Sequence, residues 1–154
     1  MMFETVERAI DAVKRGEFVV VVDDEDRENE GDLIIAAEKM TPDKMAFMIR
    51  YTSGVICLPM EGERLDELQL PLMVSGSENT EGQRTAFTVS VDARVGTTTG
   101  ISAADRCATV LALLDPKTTA ADIARPGHIF PLIARDGGDG VFDLSERHQW
   151  PPGL

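Results

Sequence analysis

Cysteine is scarce in this chain: Cys57 and Cys107 are its only two, far apart in sequence. That excludes a disulfide framework and a cysteine-built zinc site, and both thiols are expected to be reduced. Basic residues are few as well, 15 Lys and Arg against 27 Asp and Glu, for a net charge of −12. Phosphate backbones are held by clustered Lys and Arg, so nucleic acid is excluded as a partner, and any phosphorylated ligand must be small and locally neutralised. No apolar run approaches the about 18 residues of a membrane span, and no basic segment followed by an apolar one opens the chain. The expectation is a soluble, cytoplasmic protein with no membrane partner. No internal repeat and no interdomain linker appear. What remains, 154 residues of which 43% are apolar and 27% charged, has ordinary globular composition and enough length for one core.

The acids are not spread evenly. Asp23-Asp24-Glu25-Asp26-Arg27-Glu28-Asn29-Glu30-Gly31-Asp32 holds seven acids and one base, a net −6 out of the whole-chain −12. Crowded carboxylates repel one another unless a cation or pairing offsets them. A divalent metal suits hard carboxylate oxygens, and Arg27 is the one internal counter-charge. A solvated acidic loop is the alternative. An EF-hand-like calcium loop is excluded: Asp26, Glu28, Glu30 and Gly31 match its early positions, but Ala37 stands where the bidentate Glu belongs.

The flanking pattern sets this loop at one end of a sheet. Phe3, Val6, Ile10 and Val13 have helical spacing before Gly16, predicting an amphipathic helix of about four turns with a core-facing stripe. Glu17 to Val22 reads as a buried strand and Asp32 to Ala37 as the next. Thr41-Pro42 opens a helix burying Met45, Met48 and Ile49. Val55 to Leu58 reads as a strand stopped by Pro59, and Glu61 to Leu68 as a short helix. Pro71 to Arg84 is a long loop, and Thr85 to Asp92 alternates as a half-buried strand with Phe87, Val89 and Val91 on one face. Thr97-Thr98-Thr99-Gly100 before Ser102 to Asp105 predicts a capped helix burying Cys107, Val110, Leu111 and Leu114. Hydroxyls, glycines and a helix start together offer a place for an anion, a weak signal by itself. Arg125-Pro126-Gly127-His128 precedes the apolar run Ile129 to Ala134, and a histidine held on a stiff turn suits positioned acid–base chemistry. A surface turn histidine and, for Cys57, a small core residue are the bland alternatives.

Three stretches converge here: Asp23 to Asp32, Thr98-Thr99-Gly100-Ile101-Ser102-Ala103-Ala104-Asp105-Arg106, and Arg125-Pro126-Gly127-His128. Together with Tyr51-Thr52-Ser53-Gly54 and Phe87-Thr88-Val89, in this order and spacing, they resemble the 3,4-dihydroxy-2-butanone 4-phosphate synthase family of riboflavin biosynthesis. The likeness runs from about Val6 to Gly138. It implies an α+β fold with a mixed sheet flanked by helices, and a lyase converting ribulose 5-phosphate to formate and 3,4-dihydroxy-2-butanone 4-phosphate with Mg2+ or Mn2+. It further implies a homodimer with sites at the subunit interface. Carried over position by position, Glu28 matches the metal ligand. Asp23, Arg27, Asp32, Cys57 and Thr99 match substrate positions, and His128 and Glu30 match catalytic ones.

The resemblance divides the chain into residues 1–138 and a divergent tail, 139–154. The tail lacks the family's Arg-x-Gly-His-Thr-Glu-Ala motif, and His148, whose neighbours differ, does not substitute for the motif's histidine. Two readings therefore stand side by side, an active synthase and a shortened, non-catalytic relative that keeps metal binding or dimerisation only.

Overall fold

The computed structural model describes residues 4–23 and 30–134. Thr5 caps α1 (Val6–Lys14) by accepting the Arg8 N–H, and Gly16 ends it with a φ of +76° while lying against the Lys39 side chain. A β-carbon there would meet both strain and Lys39. The helix has 9 residues, shorter than its spacing predicts, and its stripe is only half covered, Val6 being 43% exposed. Its packing falls on β1 (Val19–Val22), at the margin of the fold.

β1 pairs antiparallel with β2 (Gly31–Ile34), and the Asp23 N–H donates to the Glu30 carbonyl over 3.2 Å. The acidic run therefore closes a two-stranded hairpin. The valine run reads as a buried strand, yet Val20 and Val22 are exposed, because this hairpin is a separate sheet with one face uncovered among the described residues. β2 stops at Ile34 and the chain turns into a short 3-10 segment, Ala37–Lys39, rather than continuing as strand to Ala37.

Thr41 caps α2 (Pro42–Tyr51), with Pro42 in the first turn, where its missing N–H costs nothing. Then follow β3 (Ile56–Met60), α3 (Gly62–Glu67), β4 (Val91–Ala93), α4 (Ala103–Leu114) and β5 (Ile123–Ile133). The three strands form one sheet in the order β3-β5-β4, with β3 parallel and β4 antiparallel to β5, the mixed sheet expected. β3 runs through Pro59 instead of stopping there, and it can do so because β3 lies at the sheet's edge. α4 packs on β4 and β5, α2 packs on α4, and Met45, Leu58, Leu65, Val110, Leu113 and Ile129 fill the space between. Full burial of each such side chain stabilises by about 1.5–3 kcal/mol. This helical layer covers one face of the sheet.

Two departures from the sequence pattern shape what the sheet presents. Only Val91–Ala93 forms a strand of the stretch from Thr85 to Asp92; upstream the chain touches its neighbours through isolated bridges, Leu72 with Thr88 and Phe87 with Leu132. Thr88, on the polar side of the alternation, is fully buried, and both its N–H and its hydroxyl donate to the Pro131 carbonyl. The second departure lies in β5. Val91 pairs with Ile129, whereas Asp92 pairs with Ala124, so Arg125, Pro126, Gly127 and His128 stand opposite a single step of β4. The stiff turn expected between elements is thus a bulge inside a strand. Gly127 permits it, since a β-carbon there would overlap the Val91 and Asp92 backbone.

The start of α4 is tied down by a carboxylate. Ser102 caps the helix by accepting the Asp105 N–H over 3.0 Å, as its pattern predicts. The Asp105 side chain turns to the preceding loop instead of closing a capping box, accepting from the Thr98 N–H, the Thr98 hydroxyl and the Gly100 N–H. The amides that could have held an external anion are occupied by the chain's own acid. The Thr98 hydroxyl first, and the two amides with it, hold the Asp105 carboxyl below the usual aspartate range. One turn on, the fully buried Thr109 hydroxyl donates to the Asp105 carbonyl and accepts the Ala93 N–H, fastening α4 to β4. Leu113 is buried in this face, while Leu111 and Leu114, expected inside, are 42% and 41% exposed.

Two outcomes follow from these contacts. Thr109→Val preserves shape but leaves the buried Ala93 N–H without an acceptor, and chemical denaturation is expected to show a loss of roughly 1–3 kcal/mol, with Thr109→Ser losing much less. Because folding lowers the Asp105 pKa, its contribution is complete above the ordinary aspartate value near ~3.9 and is lost as pH falls through the lowered folded value. Hydrogen exchange should therefore show the Thr98 and Gly100 amides losing protection in acid before the amides of β5 do, and Asp105→Asn should show that loss at pH values near ~7. Unchanged loop protection in both conditions would exclude this role for Asp105.

Candidate active site

The acids approach the main sheet through β2. Asp32 sits on β2 opposite Val21, Asp23 is half-buried at the end of β1, and Glu30 is exposed as the chain re-enters the hairpin. Arg27 and Glu28 lie outside the described residues, as does the tail 139–154. Among the described residues, no three of His, Cys, Asp and Glu converge on a common point. The carboxylate oxygens flanking the hairpin end are nonetheless the hard donors that Mg2+ and Mn2+ take, so the donor chemistry fits such an ion once the residues of the loop are counted with them.

Cys57 lies in the middle of β3 and is exposed. Although the residue as a whole reaches solvent, protein crowds its thiol: desolvation first, and the negative charge of Asp32 second, push its pKa up. Two consequences follow. The thiol stays protonated at neutral pH and is no thiolate nucleophile. The second cause places Asp32 within electrostatic reach of β3, so two of the predicted site residues, distant in sequence, lie within range of one charge.

His128 stands one strand away. Cys57 pairs in register with Phe130, two residues beyond His128 on β5. Ile129 and Pro131 are buried against the helical layer, so His128 and Phe130, both half-buried, share the opposite face with Cys57. The histidine is held there by Asp92. One Asp92 carboxylate oxygen accepts the His128 N–H over 2.9 Å, and the other lies 2.8 Å from Nδ1 of the ring. Asp92 is only 8% exposed, and Gly100 presses so closely on its carboxylate that a β-carbon at position 100 would overlap it. Thr99, exposed in the same loop, sits between Thr98 and Gly100, whose N–H groups are taken by Asp105.

The structure thus places Asp32 within charge range of Cys57, and sets His128 on the same sheet face as Cys57. Glu30 is left exposed at the hairpin end. Asp92 was missed from the sequence. The one signal that could have found it is that it is the sole charged residue in the alternating stretch from Thr85 to Asp92. Arg125, inside the same motif as His128, is committed elsewhere: its guanidinium donates to the Leu68 carbonyl at the end of α3 and to the carbonyls of Ala120 and Ile123.

Residues 7–141 match the family described as 3,4-dihydroxy-2-butanone 4-phosphate synthase. The chain is 58% identical over 138 residues to the 3,4-dihydroxy-2-butanone 4-phosphate synthase of Agrobacterium fabrum, covering 90% of this chain and 64% of that protein. It is 57% identical over 136 residues to the probable bifunctional riboflavin biosynthesis protein RIBA 1, chloroplastic, of Oryza sativa subsp. japonica, covering 88% of this chain and 25% of that one. Among solved structures it is similar to a 3,4-dihydroxy-2-butanone 4-phosphate synthase in complex with two magnesium ions, with a TM-score of 0.83 and 52% identity, covering 88% of this chain and 62% of that chain. A cation-free form of such a synthase superposes with a TM-score of 0.78 at 50% identity, covering 89% and 62%. The chain thus spans less than two thirds of the length of these relatives. A family match over residues 7–141, joined to the mixed sheet shared with the solved synthases, establishes that this chain belongs to the 3,4-dihydroxy-2-butanone 4-phosphate synthase family.

Proposed function

We propose that this chain carries the active centre of a lyase that converts ribulose 5-phosphate to formate and 3,4-dihydroxy-2-butanone 4-phosphate in riboflavin biosynthesis, using Mg2+ or Mn2+. The observation that carries the reading is the family match over residues 7–141, supported by Cys57 and His128 on one face of adjacent strands with the charge of Asp32 in range. The relative in complex with two magnesium ions supports the choice of metal.

In this reading Glu28 holds the ion, with Asp23 and Glu30 flanking it on the same hairpin end. A bound divalent ion polarises the carbonyl and hydroxyl oxygens of a ketose and so eases enolisation. The chain's own residues do the rest. Arg27 supplies positive charge and a planar donor fork toward the anionic substrate, in a protein whose net charge would otherwise repel it. Asp32 and Asp23 accept hydrogen bonds from substrate hydroxyls, and the Thr99 hydroxyl contributes a further contact from the loop. The protonated thiol of Cys57 lines the site as a small, weakly polar wall. His128 takes and returns protons, with Glu30 as a second proton carrier on the hairpin side.

The same proposal includes a homodimer in the cytoplasm. Val20, Val22, Tyr51 and Val55 are exposed at 64%, 49%, 64% and 53%, apolar surface that a second copy would remove from water. Among the described residues no helix is long and apolar enough to cross a membrane.

The decisive experiment is formate release from ribulose 5-phosphate by the protein. Release is expected with Mg2+ present and should vanish on chelation; metal-loaded protein that frees no formate would overturn the assignment. Glu28→Gln, which keeps shape and removes charge, should weaken Mg2+ binding in calorimetry by about tenfold or more, since affinity in such sites follows the count of charged ligands. Unchanged affinity would remove Glu28 from the metal site.

A further inference from the structure

We infer that Asp92 is a positioning residue that fixes the tautomer of His128, keeping the proton on Nδ1 and leaving Nε2 bare as the proton acceptor. The inference rests on the reading of His128 as the acid–base group. Its physical basis is that both oxygens of one buried carboxylate are engaged by the same residue. The His128 backbone N–H can only donate, and it reaches one Asp92 oxygen at 2.9 Å. The other oxygen, at 2.8 Å from Nδ1, is an acceptor whenever Asp92 is ionised, so the ring nitrogen facing it must carry the proton. Among the described residues, no hydrogen bond engages Nε2.

The carboxylate cannot easily swing away from this arrangement. Gly100, at φ +87°, packs against it from one side, and Gly127 lets the bulge press its backbone onto Asp92 from the other. The bulge is what makes the contact geometric: Arg125 to His128 loop out opposite one step of β4, returning the histidine N–H and ring to the same carboxylate. In the proton transfer itself, a substrate C–H or O–H bond breaks, the bond pair stays on the substrate, and an N–H bond forms at Nε2. Asp92 remains a carboxylate beside the cation so formed and stabilises it.

Asp92→Asn tests the idea because it inverts the constraint. Its carbonyl oxygen must still accept the His128 N–H, so its NH2 group faces Nδ1 and donates, which drives the ring proton to Nε2. The chain has only two histidines, so 15N spectra of histidine-labelled protein can be assigned to His128 by comparison with His128→Gln. In alkaline solution, with the ring neutral, the native protein should show a proton on Nδ1 of His128, and Asp92→Asn a proton on Nε2. In turnover, Asp92→Asn should lower kcat by about 10²–10⁴ with KM changed far less, and the double variant with His128→Gln should be no worse than His128→Gln alone. A native spectrum with the proton on Nε2 overturns the inference, and it does so even if the Asn variant does not fold. Native kcat in Asp92→Asn beside an impaired His128→Gln also overturns it while leaving the histidine's role standing. Native kcat in His128→Gln instead overturns the reading on which it rests.

Discussion

The contact between the Asp92 carboxylate and His128 is the constraint on which the arrangement of the sheet's open face depends. It requires β5 to bulge by four residues, and the bulge requires glycine at position 127, where backbone meets backbone too closely for any side chain. It also requires glycine at position 100, so the loop before α4 must pass directly over the same carboxylate. One hydrogen-bonded pair thereby couples two strands and a loop. A partly buried carboxylate without such partners would cost far more than the contact returns, so geometry here is held by the penalty of breaking it as much as by its own strength.

Asp92, Asp105 and Asp32 show how environment assigns different work to the same side chain. Asp105 is spent inside the fold, where it satisfies the Thr98 and Gly100 amides and orders the loop that carries Thr99. Asp92 is turned to a ring nitrogen, and Asp32, exposed on β2, acts at a distance through its charge on the Cys57 thiol. Thr109 adds a neutral counterpart: its buried hydroxyl links helix α4 to strand β4, which carries Asp92. The helical layer is thus more than a hydrophobic cover; it fixes the height and register of the strand on which the histidine's partner stands.

Against this rigid half stands the acidic hairpin. It is a sheet of its own, joined to the rest by packing rather than by a shared ladder, and its valines remain partly exposed. That separation leaves the concentrated negative charge of Asp23 to Asp32 at the margin of the fold, away from the main hydrophobic core.

Much of this was legible in the residues alone. The helix caps at Thr41 and Ser102, the two strands around the acidic run, the loop from Pro71 to Arg84 and the three family motifs depend on short-range pattern, which a sequence displays directly. What the sequence misplaced depends on neighbours it does not show. Thr88 sits on the polar side of its alternation but is buried because a carbonyl from a remote segment satisfies its hydroxyl. Leu111 and Leu114 fit an apolar stripe but face outward because the helix is rotated to bring Thr109 and Leu113 inward. Asp92 could be seen only as a lone acid in an alternating run, and the Thr-Gly loop only as a generic anion cradle. Chain pattern by itself pointed to the family and singled out His128; tertiary structure alone decided that residue's partner and the cradle's occupant, because hydrogen bonds between segments tens of residues apart are set by three-dimensional packing and leave no period in the sequence.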